Sequence, residues 1–114
     1  MKPNEVKFIG NLVKDPQIFE GQDGAKFGRM RIAVNTKIRD LEETLYIDVK
    51  INDYAMRDIE YFDVKKGNRV FVSGRLVQEE YNDADGREIR VVVVRADNIF
   101  KIATKQAQEE GSDF

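Results

Sequence analysis

The run Leu45-Tyr46-Ile47-Asp48-Val49-Lys50-Ile51 alternates without a break. Every odd position is aliphatic, and the even ones are Tyr46, Asp48 and Lys50. Successive side chains of a strand point to opposite faces. A period of two therefore predicts a strand with one face on a core and one in solvent. Arg29-Met30-Arg31-Ile32-Ala33-Val34-Asn35 repeats the pattern with two arginines on the polar phase.

The polar phases carry a ring and several cations. Aromatic rings stack on unpaired bases, and cations follow a phosphate chain. The two runs together suggest a sheet face that holds single-stranded nucleic acid.

At 114 residues the chain has room for one core. Its 41% apolar and 35% charged composition fits a globular domain. No apolar run approaches the ~20 residues of a membrane helix. The start Met1-Lys2-Pro3-Asn4-Glu5 lacks an apolar signal segment. The expected location is therefore cytoplasmic. Without cysteine there are no disulfides or thiolate metal sites. Without histidine the commonest general base and zinc ligand are missing as well. The expectation is a protein with no catalytic site, no metal and no cofactor. The net charge of −2 includes Glu109, Glu110 and Asp113 near the end, and without those three acids it becomes +1. A near-neutral body still binds strands if its cations share one face.

Along the chain the periodicity predicts five strands, at residues 5–13, 26–37, 43–51, 69–81 and 87–102. Asp15-Pro16 ends the first run. Gly21-Gln22-Asp23-Gly24 reads as a turn, and Asn82-Asp83-Ala84-Asp85-Gly86 as a hairpin turn. The segment from Lys37 to Glu43 is polar and expected to project as a loop. One short helix falls between the third and fourth strands, capped by Asn52 or Asp53 and stopped by Lys65-Lys66-Gly67-Asn68. An all-β chain in this order predicts a five-stranded OB-fold Greek-key barrel that binds oligonucleotides on one side. The domain spans residues 1–102, and 103–114 form a short acidic tail.

Ile9-Gly10-Asn11-Leu12 followed by Lys14-Asp15-Pro16 resembles the opening of bacterial single-stranded DNA-binding proteins. Ile32-Ala33-Val34-Asn35 resembles their second strand. Lys65-Lys66-Gly67-Asn68-Arg69-Val70 running into Ser73-Gly74-Arg75-Leu76 resembles their helix exit and fourth strand. Asp85-Gly86 precedes the fifth strand as in that family. These matches keep register from about residue 4 to 102. The resemblance implies the OB-fold and ssDNA binding without sequence preference in replication, recombination and repair. It implies a homo-oligomer, a tetramer or a dimer, in the nucleoid region of the cytoplasm. It also implies a tail whose acidic, aromatic end, here Asp113 and Phe114, docks replication or repair proteins. Two of the family's four stacking aromatics fall on Tyr46 and Tyr81. The other two fall on Ile38 and Asn52, and Tyr54 lies close enough to Asn52 to substitute. Glu79 and Glu80 stand where relatives often carry basic residues.

The stacking candidates are thus Tyr46, Tyr81 and Tyr54. The phosphate-contact candidates are Arg29, Arg31, Lys37, Arg39, Lys50 and Arg75, with Lys66 and Arg69 behind them. Ile89 to Val94 is apolar on both faces but for Arg90, which fits a central barrel strand or burial against a second subunit. Phe71, opposite Val70 and Val72, poses the same choice. Asp83-Ala84-Asp85-Gly86 lacks the ligand spacing of a calcium loop. Gly21, Gly24 and Gly28 lack the lysine of a phosphate loop. A second function class is an OB-fold adaptor similar to a primosomal accessory protein, in which protein contacts dominate over weak strand binding. The acidic end of the fourth strand and the missing aromatics motivate it.

Overall fold

Alternation turns into a closed sheet. The structure, a computed structural model, describes residues 1–103. Its elements are β1 (Val6–Leu12), β2 (Gln17–Glu20), β3 (Lys26–Ile38), β4 (Leu41–Ile51), α1 (Met56–Phe62), β5 (Arg69–Asn82) and β6 (Glu88–Ile102). The strands hydrogen-bond in the order β1-β5-β6-β4-β3-β2, and β1 also pairs with β3 at Asn11 and Leu12. That second pairing closes β1, β5, β6, β4 and β3 into a five-stranded barrel. All pairings are antiparallel except β4 with β6.

The core comes from one phase of each long strand. Met30 and Ile32 of β3, Val49 and Ile51 of β4, Val70 and Val72 of β5, and Val94 and Ile99 of β6 are buried together. The helix adds Met56 and Ile59. Asp58 Oδ2 accepts the Ile99 backbone N–H at 2.9 Å, tying α1 to β6.

Three expectations need correction. Residues 17–20 form a sixth, short strand on the outer edge of β3, so the helix lies between the fourth and fifth strands of the chain. All four residues of β2 are exposed, so burial leaves no strand signature there. Second, the segment from Lys37 to Glu43 is mostly not a loop. β3 and β4 pair as far as Ile38 with Leu41, leaving Arg39 and Asp40 as a two-residue turn with Arg39 at φ 58°. Polarity at the tip of a hairpin arm reflects exposure, and the strand pattern continues beneath it: Leu45, Leu41 and Ile38 extend the aliphatic phase past the barrel and are all exposed. Third, the helix begins one turn later than the capping residues suggest. Ala55 holds the N-cap position without a side-chain bond, while Asn52 Oδ1 accepts the Ala55 N–H at 2.8 Å and stabilises the turn leading into the helix.

The β5–β6 hairpin also outgrows the barrel. A bulge between Ser73 and Gly74 shifts its register. Beyond the bulge, β5 pairs with β6 alone through Asn82 and Glu88. The bulge needs glycine, because a Cβ at Gly74 would overlap the Arg95 carbonyl. The hairpin turn ends on Gly86 at φ 79°. Ile89–Val94 is a barrel strand at its far end only. Val93 and Val94 are buried, whereas Val92 is exposed on the arm.

Candidate nucleic-acid interface

Residues opposite one another in an antiparallel pair share a face. Between β3 and β4 these pairs are Arg29 with Lys50, Arg31 with Asp48, and Ala33 with Tyr46. Met30, Ile32 and Val49, on the other phase, are buried. Arg29, Arg31, Tyr46, Asp48 and Lys50 therefore line one outer face of the barrel. Phe27 continues that phase of β3 in one direction and Lys37 in the other. The rise of ~3.3 Å per strand residue puts about 20 Å between Phe27 and Ala33.

The guanidinium of Arg31 lies 5.5 Å from the centroid of the Tyr46 ring, within cation–π range. It also pairs with Asp48 at 3.3 Å. Tyr46 is 55% exposed, so its ring remains available.

The β5–β6 arm reaches back to this face. Arg29 Nη2 donates to both oxygens of Glu79 at 2.6 Å, and Lys50 Nζ pairs with the same carboxylate at 2.9 Å. These hydrogen bonds, first from Arg29 and then from Lys50, hold the Glu79 carboxyl below the ordinary glutamate value of 4.5. The same bond raises the Arg29 guanidinium above its own ordinary value. Two recesses flank the bridge. One of about 520 Å³ is bounded by Arg29, Asp48, Glu79, Glu80, Tyr81 and Val91. The other, about 530 Å³, is bounded by Phe19, Phe27, Arg29, Lys50, Asn52 and Arg95 among others.

The structure thus brings Arg29, Arg31, Lys50 and Tyr46 onto one face, and Tyr81 into the recess that Arg29 and Asp48 share. The remaining candidates border neither recess. Tyr54 is 65% exposed in the turn before α1, its ring covered by the Arg57 guanidinium at 5.5 Å, and it borders neither recess. Lys37 stands opposite Glu42 on the β3–β4 arm, and Arg39 occupies that arm's turn. Arg75 is exposed opposite Arg95 on the hairpin, outside both recesses. Arg69 opens β5 and Lys66 lies in the turn before it, and neither borders a recess. Asp113 and Phe114 lie outside the described residues. Among the described residues no cluster of three or more His, Cys, Asp or Glu is arranged to hold a metal ion.

Sequence reasoning missed Phe19, Phe27 and Arg95. Phe19 and Phe27 are a cross-strand pair with stacked rings, 5.6 Å between centroids. The signal was a glycine-bounded turn, Gly21 to Gly24, with a phenylalanine on each side. It went unread because Gln17–Glu20 is too short to display a period. The strand also requires Gly28, since a Cβ there would stand 2.5 Å from the Gln17 carbonyl oxygen.

Comparison with known proteins agrees with this architecture. The chain superposes with a TM-score of 0.76 on a chain of a Plasmodium falciparum SSB complex with ssDNA, at 18% identity, covering 90% of this chain and 96% of that one. A single-stranded DNA-binding protein of Thermus thermophilus is 30% identical over 96% of this chain and 41% of its own length. One from Wolinella succinogenes is 25% identical over 97% of this chain and 73% of its own. Against two Thermus relatives the chain spans 41% and 31% of their lengths. The sequence profile of the single-strand binding protein family matches residues 3–102. The chain belongs to the single-strand binding protein family.

Proposed function

We propose that the outer face of β3 and β4, roofed by the β5–β6 arm, holds unpaired DNA without sequence preference. OB-folds bind oligonucleotides on the corresponding face, between the loops that flank it. The observation that carries this reading is the β3–β4 register, which sets Arg31 and the exposed Tyr46 ring side by side next to Arg29 and Lys50. Tyr46 and Tyr81 stack bases, and Arg29, Arg31 and Lys50 meet phosphates. Lys37, Arg39 and Arg75 contact strand that runs beyond the recesses. Tyr54 is a peripheral stacking residue. The protein acts by occupancy, not turnover, during replication, recombination and repair.

The family relation also supports self-association, as a dimer or tetramer, and docking of replication or repair proteins on the tail ending in Asp113 and Phe114. For self-association the surface offers a row of three residues across β1, β5 and β6. Ile9 pairs with Phe71, and Phe71 with Phe100, whose rings stack at 6.2 Å. Ile9 and Phe100 are nearly half exposed. The adaptor reading loses one of its two motives, because the acidic end of β5 is matched internally. Glu79 serves Arg29 and Lys50, and Glu80 pairs with Arg90 at 3.4 Å.

Fluorescence titration with oligo-dT across a salt series tests the binding. The expected result is an affinity that falls with salt, with log K sloping about −0.7 per neutralised phosphate against log salt. Equal affinity for duplex, or no salt dependence, rejects it. Light scattering tests the self-association.

A further inference from the structure

We infer that the recess beside Phe19 and Phe27 is an additional nucleobase site, in which an unpaired base stacks on the Phe27 ring. The inference rests on the ssDNA-binding reading above and extends the strand's path to the β2 end of the face.

Four observations carry it. Phe19 and Phe27 stack on each other with an interplanar angle of 28°, yet are 45% and 48% exposed, and neither belongs to the core. Two large rings left half in water, one on the edge strand β2 and one on its neighbour β3, are an unspent stacking surface. Second, Phe27 lies on the same phase of β3 as Arg29 and Arg31, so a strand following those cations runs onto the ring. Third, the recess holds about 530 Å³ and mixes aromatic floor with cations (Arg29, Lys50, Arg95) and amides (Asn52, Gln78). The Gln78 amide both donates and accepts, and Asn52, whose Oδ1 holds the Ala55 N–H, offers its NH2 as a donor, so the pair meets base edges without selecting a sequence. Fourth, Asn52 occupies the position where the family resemblance expects a stacking ring, and it lines this same recess. The rings of the β2–β3 hairpin line that same recess.

The experiment uses the full chain. Oligo-dT carrying 5-iodouracil is photocrosslinked and the adducts are mapped by peptide mass spectrometry. In parallel, oligo-dT affinity is measured for the protein and for Phe27→Leu, Phe19→Leu and Tyr46→Ala, each checked by thermal melting. Leucine keeps the apolar volume that seats β2 and removes the ring. The inference expects crosslinks at Phe27 or Phe19 and a loss of about fivefold to a hundredfold in affinity for Phe27→Leu. Crosslinks confined to Tyr46 and Tyr81, with Phe27→Leu binding like the parent, overturn the inference and leave the general reading standing. Failure of the unaltered protein to bind oligo-dT overturns both. If Phe27→Leu melts early, the crosslink map on the unaltered protein decides.

Discussion

Arg29 Nη2 is chelated by both carboxylate oxygens of Glu79 at 2.6 Å, across fifty residues of sequence. The bridge joins the barrel face to the β5–β6 arm. It also places a carboxylate where a phosphate would otherwise sit, because Lys50 meets the same carboxylate at 2.9 Å. Charge-assisted hydrogen bonds of this kind are the strong ones. Phosphate has to displace Glu79 or share its cations.

Glu79→Gln is therefore expected to tighten ssDNA binding. The amide keeps the size of the side chain and frees two positive charges. Affinity for oligo-dT at low salt should rise by up to about thirtyfold, since each of the two exposed charge contacts contributes up to about 1 kcal/mol. The salt slope should steepen by up to about 0.7 for each cation released to a phosphate. Titrations of both proteins at several salt concentrations check this. Weaker binding by the variant would mean that Glu79 positions the cations for DNA and does not compete with it.

The same pair sets a pH dependence of stability. Glu79 titrates below its ordinary value in the folded chain, because Arg29 and Lys50 hold the charged form. The contribution is thus fully present above the ordinary value of 4.5 and fades as pH falls through the lowered folded value. Melting temperatures of the protein and Glu79→Gln from pH 3 to 7 test it. The difference in favour of Glu79 should be constant from pH 5 to 7 and shrink toward pH 3. A pH-independent difference would show that the bridge stores no linked stability.

The alternating runs made the long strands legible before any coordinates, because each buries one phase and wets the other. Met30, Ile32, Val49 and Ile51 went inside, and Arg29, Arg31, Tyr46 and Lys50 outside, as the period required. What the period could not give was pairing across distant strands. Nothing local to Glu79 says that it reaches Arg29, fifty residues away. Hairpin tips misled for a related reason. The segment from Lys37 to Glu43 is largely charged because it is solvated, and its strand pairing relies on backbone bonds that composition does not reveal.

Tyr46→Ala should weaken ssDNA binding by about 1–3 kcal/mol, or roughly fivefold to a hundredfold, with no change in melting temperature. The ring is mostly exposed, so little packing is lost with it. Tyr46→Phe should bind like the parent, because stacking uses the π-face and not the hydroxyl. Tyr54→Ala should have a smaller effect, since that ring lies off the two recesses beneath Arg57. Equal losses for Tyr46 and Tyr54 would mean that the strand also passes over the turn before α1.

Ile32 provides the complementary test, where stability changes and the face does not. It is fully buried on the phase of β3 opposite Arg31, so it touches the core and no solvent-facing group. Ile32→Ala leaves a cavity in the buried core cluster and should cost about 2–5 kcal/mol of stability. Leu45→Ala removes a similar side chain from the exposed part of the same aliphatic stripe and should cost less than about 1 kcal/mol. Denaturant unfolding of the two variants measures the contrast. Below the melting range Ile32→Ala should bind oligo-dT with the parent affinity, because Arg29, Arg31, Tyr46 and Lys50 keep their places on the outer phase. Comparable stability losses at the two positions would mean that the β3–β4 arm is packed against something as firmly as the barrel is.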